Sequence, residues 1–200
     1  MNPPAFDPQP VALTGRFARL EPLTHEHAED LLAAGRDPSI WRYMPSPPFE
    51  NVAAVKTWID AALAEHRTGA QIPFATIRLA DNRAVGSTRY LTIRREHRGL
   101  EIGWTWLATD AQRTPLNTEC KLLLLTHAFE QLGALRVEFK TDLRNEKSQK
   151  ALERIGASRE GVFRRHMILW DGHIRDSVYY AITDRDWPNV KQRLTQMLQR

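Results

Sequence analysis

The chain has 200 residues, room for one domain with a sizeable core, and its 42% hydrophobic and 26% charged content is ordinary for a globular protein. Its longest aliphatic block, Leu122 to Leu125, falls far short of a membrane span, and the opening MNPPAFDPQP lacks a signal-peptide pattern. A single cysteine, Cys120, excludes an internal disulfide framework, and the net charge of +4, carried mostly by arginine, is too modest and scattered to favour a nucleic-acid surface over solvated loops. A cytoplasmic protein is expected, with no nucleic-acid or membrane partner.

Residues 1–10 are proline-rich and read as a flexible N-terminal arm, and residues 11–200 as one domain. "FARLEPL" (17–23) alternates and predicts a first strand. Thr24 offers a helix cap, and Ala28, Leu31 and Leu32 give a helical stripe that stops at Gly35. The stretch 37–49 is broken by prolines and rich in aromatics, so it reads as a structured loop. A second helical stripe follows through Val52, Val55, Ile59, Ala62 and Leu63, stopped by Gly69. The period then changes to two, predicting strands at 73–79, 84–94 and 100–108. A helix over about 117–132 closes at Gly133, and "RVEFKTD" (136–142) is the next strand. Asn145 caps a helix that turns Ala151, Leu152 and Ile155 inward and ends at Gly156. Asp171-Gly172 joins two alternating runs as a hairpin, and an amphipathic helix with Pro188 in its first turn closes the chain. Meander strands followed by β-α-β make a mixed α+β sheet with helices on both faces.

Five stretches carry a resemblance: "IWRYMP" (40–45), "EIGWTW" (101–106), "QRTPLNTE" (112–119), "TDLRNEKSQKALERIGA" (141–157) and "EGVFRRH" (160–166). In this order and spacing the chain resembles the GNAT superfamily of N-acetyltransferases, and within it the ribosomal-protein-serine/alanine (Rim-type) branch. The resemblance implies a mostly antiparallel sheet of about seven strands. It also implies acetyl-CoA as cosubstrate, no metal, a primary-amine acceptor and a homodimer.

The family's pyrophosphate motif, Gln/Arg-x-x-Gly-x-Gly/Ala, falls on Gln112, Pro115 and Asn117. A helix N-terminus supplies unpaired N–H groups to an anion, provided the backbone can come close. Asn tolerates left-handed backbone and caps helices, so Asn117 is expected to stand in for the second glycine, whereas Pro115 removes one donor. The cofactor site implied by the resemblance comprises Leu107, Ala108, Thr109, Gln112, Arg113, Thr114, Leu116, Asn117, Thr118, Asn145 and Ser148, with N–H groups near Leu107 to Thr109 facing the thioester carbonyl. The tyrosine that many relatives use as general acid is missing, and Ser148 is the candidate in its place. Glu101 is the candidate base, because an attacking amine must first lose its proton. Trp41, Arg42, Tyr43 and Met44, with Trp104 and Trp106, are expected at the acceptor. The implied reaction moves acetyl from acetyl-CoA to a protein N-terminal α-amine or a small-molecule amine by direct attack in a ternary complex. A catalytically silent acyl-CoA-binding protein of the same fold is the alternative. A plain capped helix at 112–119 and a packed loop plug at 41–44 are the corresponding structural readings.

Overall fold

The computed structural model describes residues 6–199. The predicted arm therefore lies partly outside the described residues; within them, Phe6 is buried in the main core. Eight strands form one sheet: β1 (Leu13–Thr14), β2 (Ala18–Pro22), β3 (Gln71–Arg78), β4 (Arg83–Arg94), β5 (Gly99–Leu107), β6 (Arg136–Asp142), β7 (Ser158–Ile168) and β8 (Ile174–Thr183). Their spatial order is β1-β2-β3-β4-β5-β6-β8-β7, and every pairing is antiparallel except β5 with β6. The two-residue β1 is the strand that periodicity could not show, since two residues carry no period.

Five α-helices cover the sheet: α1 (Ala28–Ala34), α2 (Val52–Arg67), α3 (Pro115–Thr126), α4 (Glu146–Ile155) and α5 (Trp187–Leu198). Neighbouring residues on β4 reveal the two layers, because successive strand side chains point to opposite faces. The Arg89 guanidinium lies over Trp58 of α2, while the Tyr90 hydroxyl donates to the Leu124 carbonyl of α3 at 2.6 Å. The apolar side of α5 is consumed internally, with Trp187, Val190 and Leu194 buried in the main core. No helix among the described residues is long and apolar enough to cross a membrane.

The helix predicted from Asn117 begins two residues earlier. Pro115 takes the first helical position, where its missing N–H costs nothing to the helix, and Thr114 is the cap, accepting from Leu116 N at 3.3 Å. A π-helical turn, His127–Gln131, extends it. Asn145 and Gly156 bracket α4 as expected: the Asn145 side chain accepts from Ser148 N, and Gly156 has φ +99°. A buried carboxylate fixes α3 to the sheet. Glu119 accepts from the backbone N–H groups of Arg16, Phe17 and Ala18 at 2.8, 2.6 and 2.7 Å, so it satisfies the turn between β1 and β2. Glu119→Ala leaves these donors without their acceptor and is expected to cost about 2–3 kcal/mol in urea unfolding.

Candidate active site

Strands β5 and β6 run side by side only where Gly99, Leu100 and Glu101 face Arg136, Val137 and Glu138. Beyond Glu101 they separate, each still paired on its outer side to β4 or β8. A wedge opens between their C-terminal ends, and the helices that follow them, α3 and α4, begin at its mouth. Lys147 of α4 donates to the Gln112 side-chain oxygen, so the two helix starts meet there. The β5 register also breaks inside the wedge. Ser87 faces Trp106 but Arg89 faces Gly103, and Trp104 takes φ +52°, a bulge that holds a bulky residue in left-handed backbone. Such strain persists only where the surroundings enforce it, and it turns β5 backbone groups away from a regular ladder.

Glu101 stands at the vertex of the wedge and is only 3% exposed. Burial pushes its carboxyl above the usual carboxylate range, and Lys140, 3.3 Å away on β6, works against that rise. Thr92 contributes a long hydroxyl contact at 3.5 Å. The same sheet face carries Tyr179, whose hydroxyl meets His166 Nε2 at 3.3 Å, and the buried Arg175, which feels the charges of Asp142 and Glu101. A carboxyl raised above its usual range, among polar neighbours, is a better base than a free one.

On the opposite face Lys121 reaches up from α3 into the wedge. Its ammonium donates to Thr105 of β5 at 3.0 Å and lies 5.9 Å from the Phe139 ring of β6, so it spans both strands after they have parted. It makes no ion pair among the described residues, and burial pushes its pKa down to about 8. No sequence signal marks it: one lysine before four leucines reads as the polar edge of a helix.

The phosphate-loop expectations need correction. Asn117 is neither the cap nor the left-handed residue; it is third in α3, and its side-chain oxygen is buried without a partner. Arg113, with φ +62°, supplies the glycine-like backbone instead. Thr118, buried past the first turn, has its N–H committed to the helix, and Leu116 N is already held by Thr114. The Ala108 N–H is likewise taken, by the Val85 carbonyl at 2.8 Å, and Gln112 donates to the Leu107 carbonyl, which closes the turn that Thr109 begins. The donors left at the α3 start are those of Thr114 and Asn117. Ser148 is half-buried, and its hydroxyl has no partner among the described residues.

Among the residues expected at the acceptor, Trp41 is a plug rather than a wall. It is fully buried, donates from Nε1 to the Gly35 carbonyl at 2.8 Å and packs on Phe49 and Trp106, whose indole is also buried. Met44 packs against the same second core. Arg42 and Tyr43 remain outward; Tyr43 lies between the guanidinium groups of Arg42 and Arg144 at 5.4 and 5.5 Å. Trp104 lines an open cavity beside Glu101's strand.

The family profile described as "Acetyltransferase (GNAT) domain" matches residues 18–158. A Bacillus subtilis (strain 168) protein named "Putative ribosomal N-acetyltransferase YdaF" is 36% identical over 95 residues, 48% of this chain; the match spans about half, 51%, of that relative. The crystal structure of a GCN5-related N-acetyltransferase from Brucella melitensis superposes with TM-score 0.90 at 29% identity, covering 96% of this chain and 87% of that one. Mycobacterium smegmatis RimJ in complex with CoA-disulfide shares the fold at TM-score 0.81 and 22% identity, over 94% and 95% of the two chains. With the profile spanning 141 of 200 residues (18 through 158), the chain belongs to the GNAT family of acetyltransferases.

Proposed function

We propose that this protein transfers an acetyl group from acetyl-CoA to a primary amine, with Glu101 as the base. One observation carries the reading: a buried carboxyl held above its usual range stands at the vertex of the β5–β6 wedge, between a cofactor-facing side and an acceptor-facing side. The chain's own groups suit acetyl-CoA. The wedge offers β5 backbone without a partner on its β6 side, Lys121 brings to its floor an ammonium with no ion pair among the described residues, and Arg113, Thr114 and Asn117 present backbone at the α3 start. Acetyl-CoA, when bound, supplies the activated acyl thioester. Glu101 draws the proton from the acceptor's ammonium, directly or through a water, so that the amine has a lone pair. Lys121 orients the pantetheine arm from beneath, and Ser148, at the start of α4, is placed to donate a proton to the departing thiolate. Arg113→Val puts a β-branched residue at φ +62°, a strain of about 1–3 kcal/mol; it should weaken acetyl-CoA binding by calorimetry roughly tenfold, whereas Arg113→Gly should not.

The acceptor is a protein N-terminal α-amine or a small-molecule amine; the names of YdaF and RimJ support the Rim-type direction. Initial rates with acetyl-CoA and amine varied together should give intersecting reciprocal plots, as direct attack requires. Parallel plots would mean an acetylated enzyme, and no rate at all would favour the silent acyl-CoA-binding alternative. Exposed apolar side chains support self-association through the β7–β8 hairpin, where Phe163, Ile168 and Trp170 stand out, more than through α5, whose apolar residues are buried. Light scattering should therefore give a dimer mass for the wild type and a monomer mass for Ile168→Asp.

A further inference from the structure

A cavity of about 610 Å³ opens on the Glu101 side of the sheet, between α2 and strands β3, β4 and β5. Acetyl transfer by itself does not say which part of an acceptor it would hold. Its wall contains Arg89, only 4% exposed. A buried guanidinium is normally matched by a carboxylate, because an unmatched charge in the interior is costly. Arg89 has no such match. Its hydrogen bond among the described residues goes from Nη1 to the neutral Gln71 Oε1 at 3.1 Å, and its Nε is buried with no partner. Glu65, on the rim, is exposed: its charge acts on Arg89 at a distance, but the two form no ion pair or hydrogen bond among the described residues.

The guanidinium carbon lies over two indole rings, 4.8 Å from the Trp58 centroid and 4.2 Å from that of Trp104. The indoles stabilise the cation but supply no hydrogen-bond acceptor, so the N–H donors of the fork still need one. The Trp58 Nε1–H, also of a cavity-lining residue, is buried without a partner as well. Buried donors therefore outnumber acceptors here, and each unmet donor costs about 1–3 kcal/mol. A structural role alone explains the stacking and leaves these donors unexplained. An anionic acceptor from outside the chain would satisfy them.

We propose that this cavity binds a carboxylate carried by the acceptor amine, gripped by Arg89 beside Trp58 and Trp104. The inference rests on the acetyl-transfer reading and adds the acceptor's class: an amino acid or an acidic N-terminal residue. The register gives the spacing. Arg89 faces Gly103 and Leu91 faces Glu101 across the β4–β5 pair, so Arg89 and Glu101 are diagonal neighbours on one sheet face, roughly 7–8 Å apart at the backbone. One small molecule can place its carboxylate at the first and its amine at the second.

The test uses two matched pairs of acceptors: alanine against alaninamide, and the amidated dipeptides Glu-Ala against Gln-Ala. The first pair reports an α-carboxylate, the second a side-chain carboxylate. The wild type should favour the carboxylate member of at least one pair by about tenfold or more in kcat/KM. Arg89→Gln should collapse that preference, Arg89→Lys should restore little of it for want of the fork, and Trp58→Phe, which keeps the ring and removes the N–H, should reduce it partly. Thermal unfolding checks that each variant folds. Calorimetric titration with the N-acetylated form of each compound reads the same preference without any catalysis. A binding preference without acetyl transfer would sustain the cavity and sink the enzyme reading. Equal binding of carboxylate and carboxamide, or a preference that survives Arg89→Gln, overturns the cavity whether or not acetyl transfer occurs.

Discussion

Glu101→Gln is expected to lower acetyl transfer at neutral pH by about 10²–10⁴-fold while leaving acetyl-CoA affinity nearly unchanged. The carboxamide keeps the size of the side chain and loses its basicity. The deficit should narrow as pH rises, because more acceptor is then already neutral. Stability supplies an independent check with the opposite sign. Burial raises the Glu101 pKa in the folded state, so the folded protein holds this proton to a higher pH than the unfolded chain. The associated stability is full below the ordinary carboxylate pKa and is lost as pH rises through the raised value. Glutamine never ionises and keeps it. The variant should therefore melt at a higher temperature than the wild type at pH 7 while turning over far more slowly. Unchanged turnover would remove Glu101 from the chemistry.

Lys121→Met is expected to stabilise the protein at pH 7 by about 3 kcal/mol and to weaken acetyl-CoA binding at the same time. The folded-state pKa is about 8 against 10.5 for the free side chain, so the unfolded chain binds this proton more tightly. Below pH 8 the buried charge is a full penalty. Between pH 8 and 10.5 the folded protein sheds the proton first, and the wild type should gain stability as pH rises through that window. The methionine variant, with no proton to shed there, should lack that gain. Urea unfolding at a series of pH values measures both statements. Stability gained with no loss of cofactor affinity would make Lys121 a tolerated burial rather than a contact for the pantetheine arm.

Much of the fold was legible because its signals are local. The stripe Val55, Ile59 and Ala62 marks α2, Asn145 and Gly156 bracket α4, and Asp171-Gly172 turns the last hairpin. Glu101 was legible as a candidate from its place in the "EIGWTW" stretch. Its burial was not, since that depends on β6 arriving beside β5 from 37 residues along the chain, where Glu101 faces Glu138. The phosphate loop misled for a physical reason. Proline at a first helical position and proline replacing a glycine in a loop look alike in sequence, and only the Thr114 cap and the positive φ of Arg113 separate them. Trp41 and Trp104 carry the same side chain in the same predicted role. One seals a core and the other lines a cavity, because Trp104 sits on the β5 bulge, where the sheet and α2 leave a gap between them. Arg89 and Lys121 were invisible for a shared reason: their unmet charge is a property of what surrounds them.

The central claim, that this chain moves acetyl from acetyl-CoA to an amine, meets its most direct test in a single incubation. Purified protein, acetyl-CoA and a mixture of free amino acids and peptides beginning with Ala, Ser, Met and Glu are combined, and the products are read by mass spectrometry alongside thiol release. Acetyl on an amine, in amounts matching the free CoA and reduced about 10²–10⁴-fold with Glu101→Gln, is the predicted result. Acetyl-CoA that binds tightly yet yields no acetylated amine from any acceptor would contradict it.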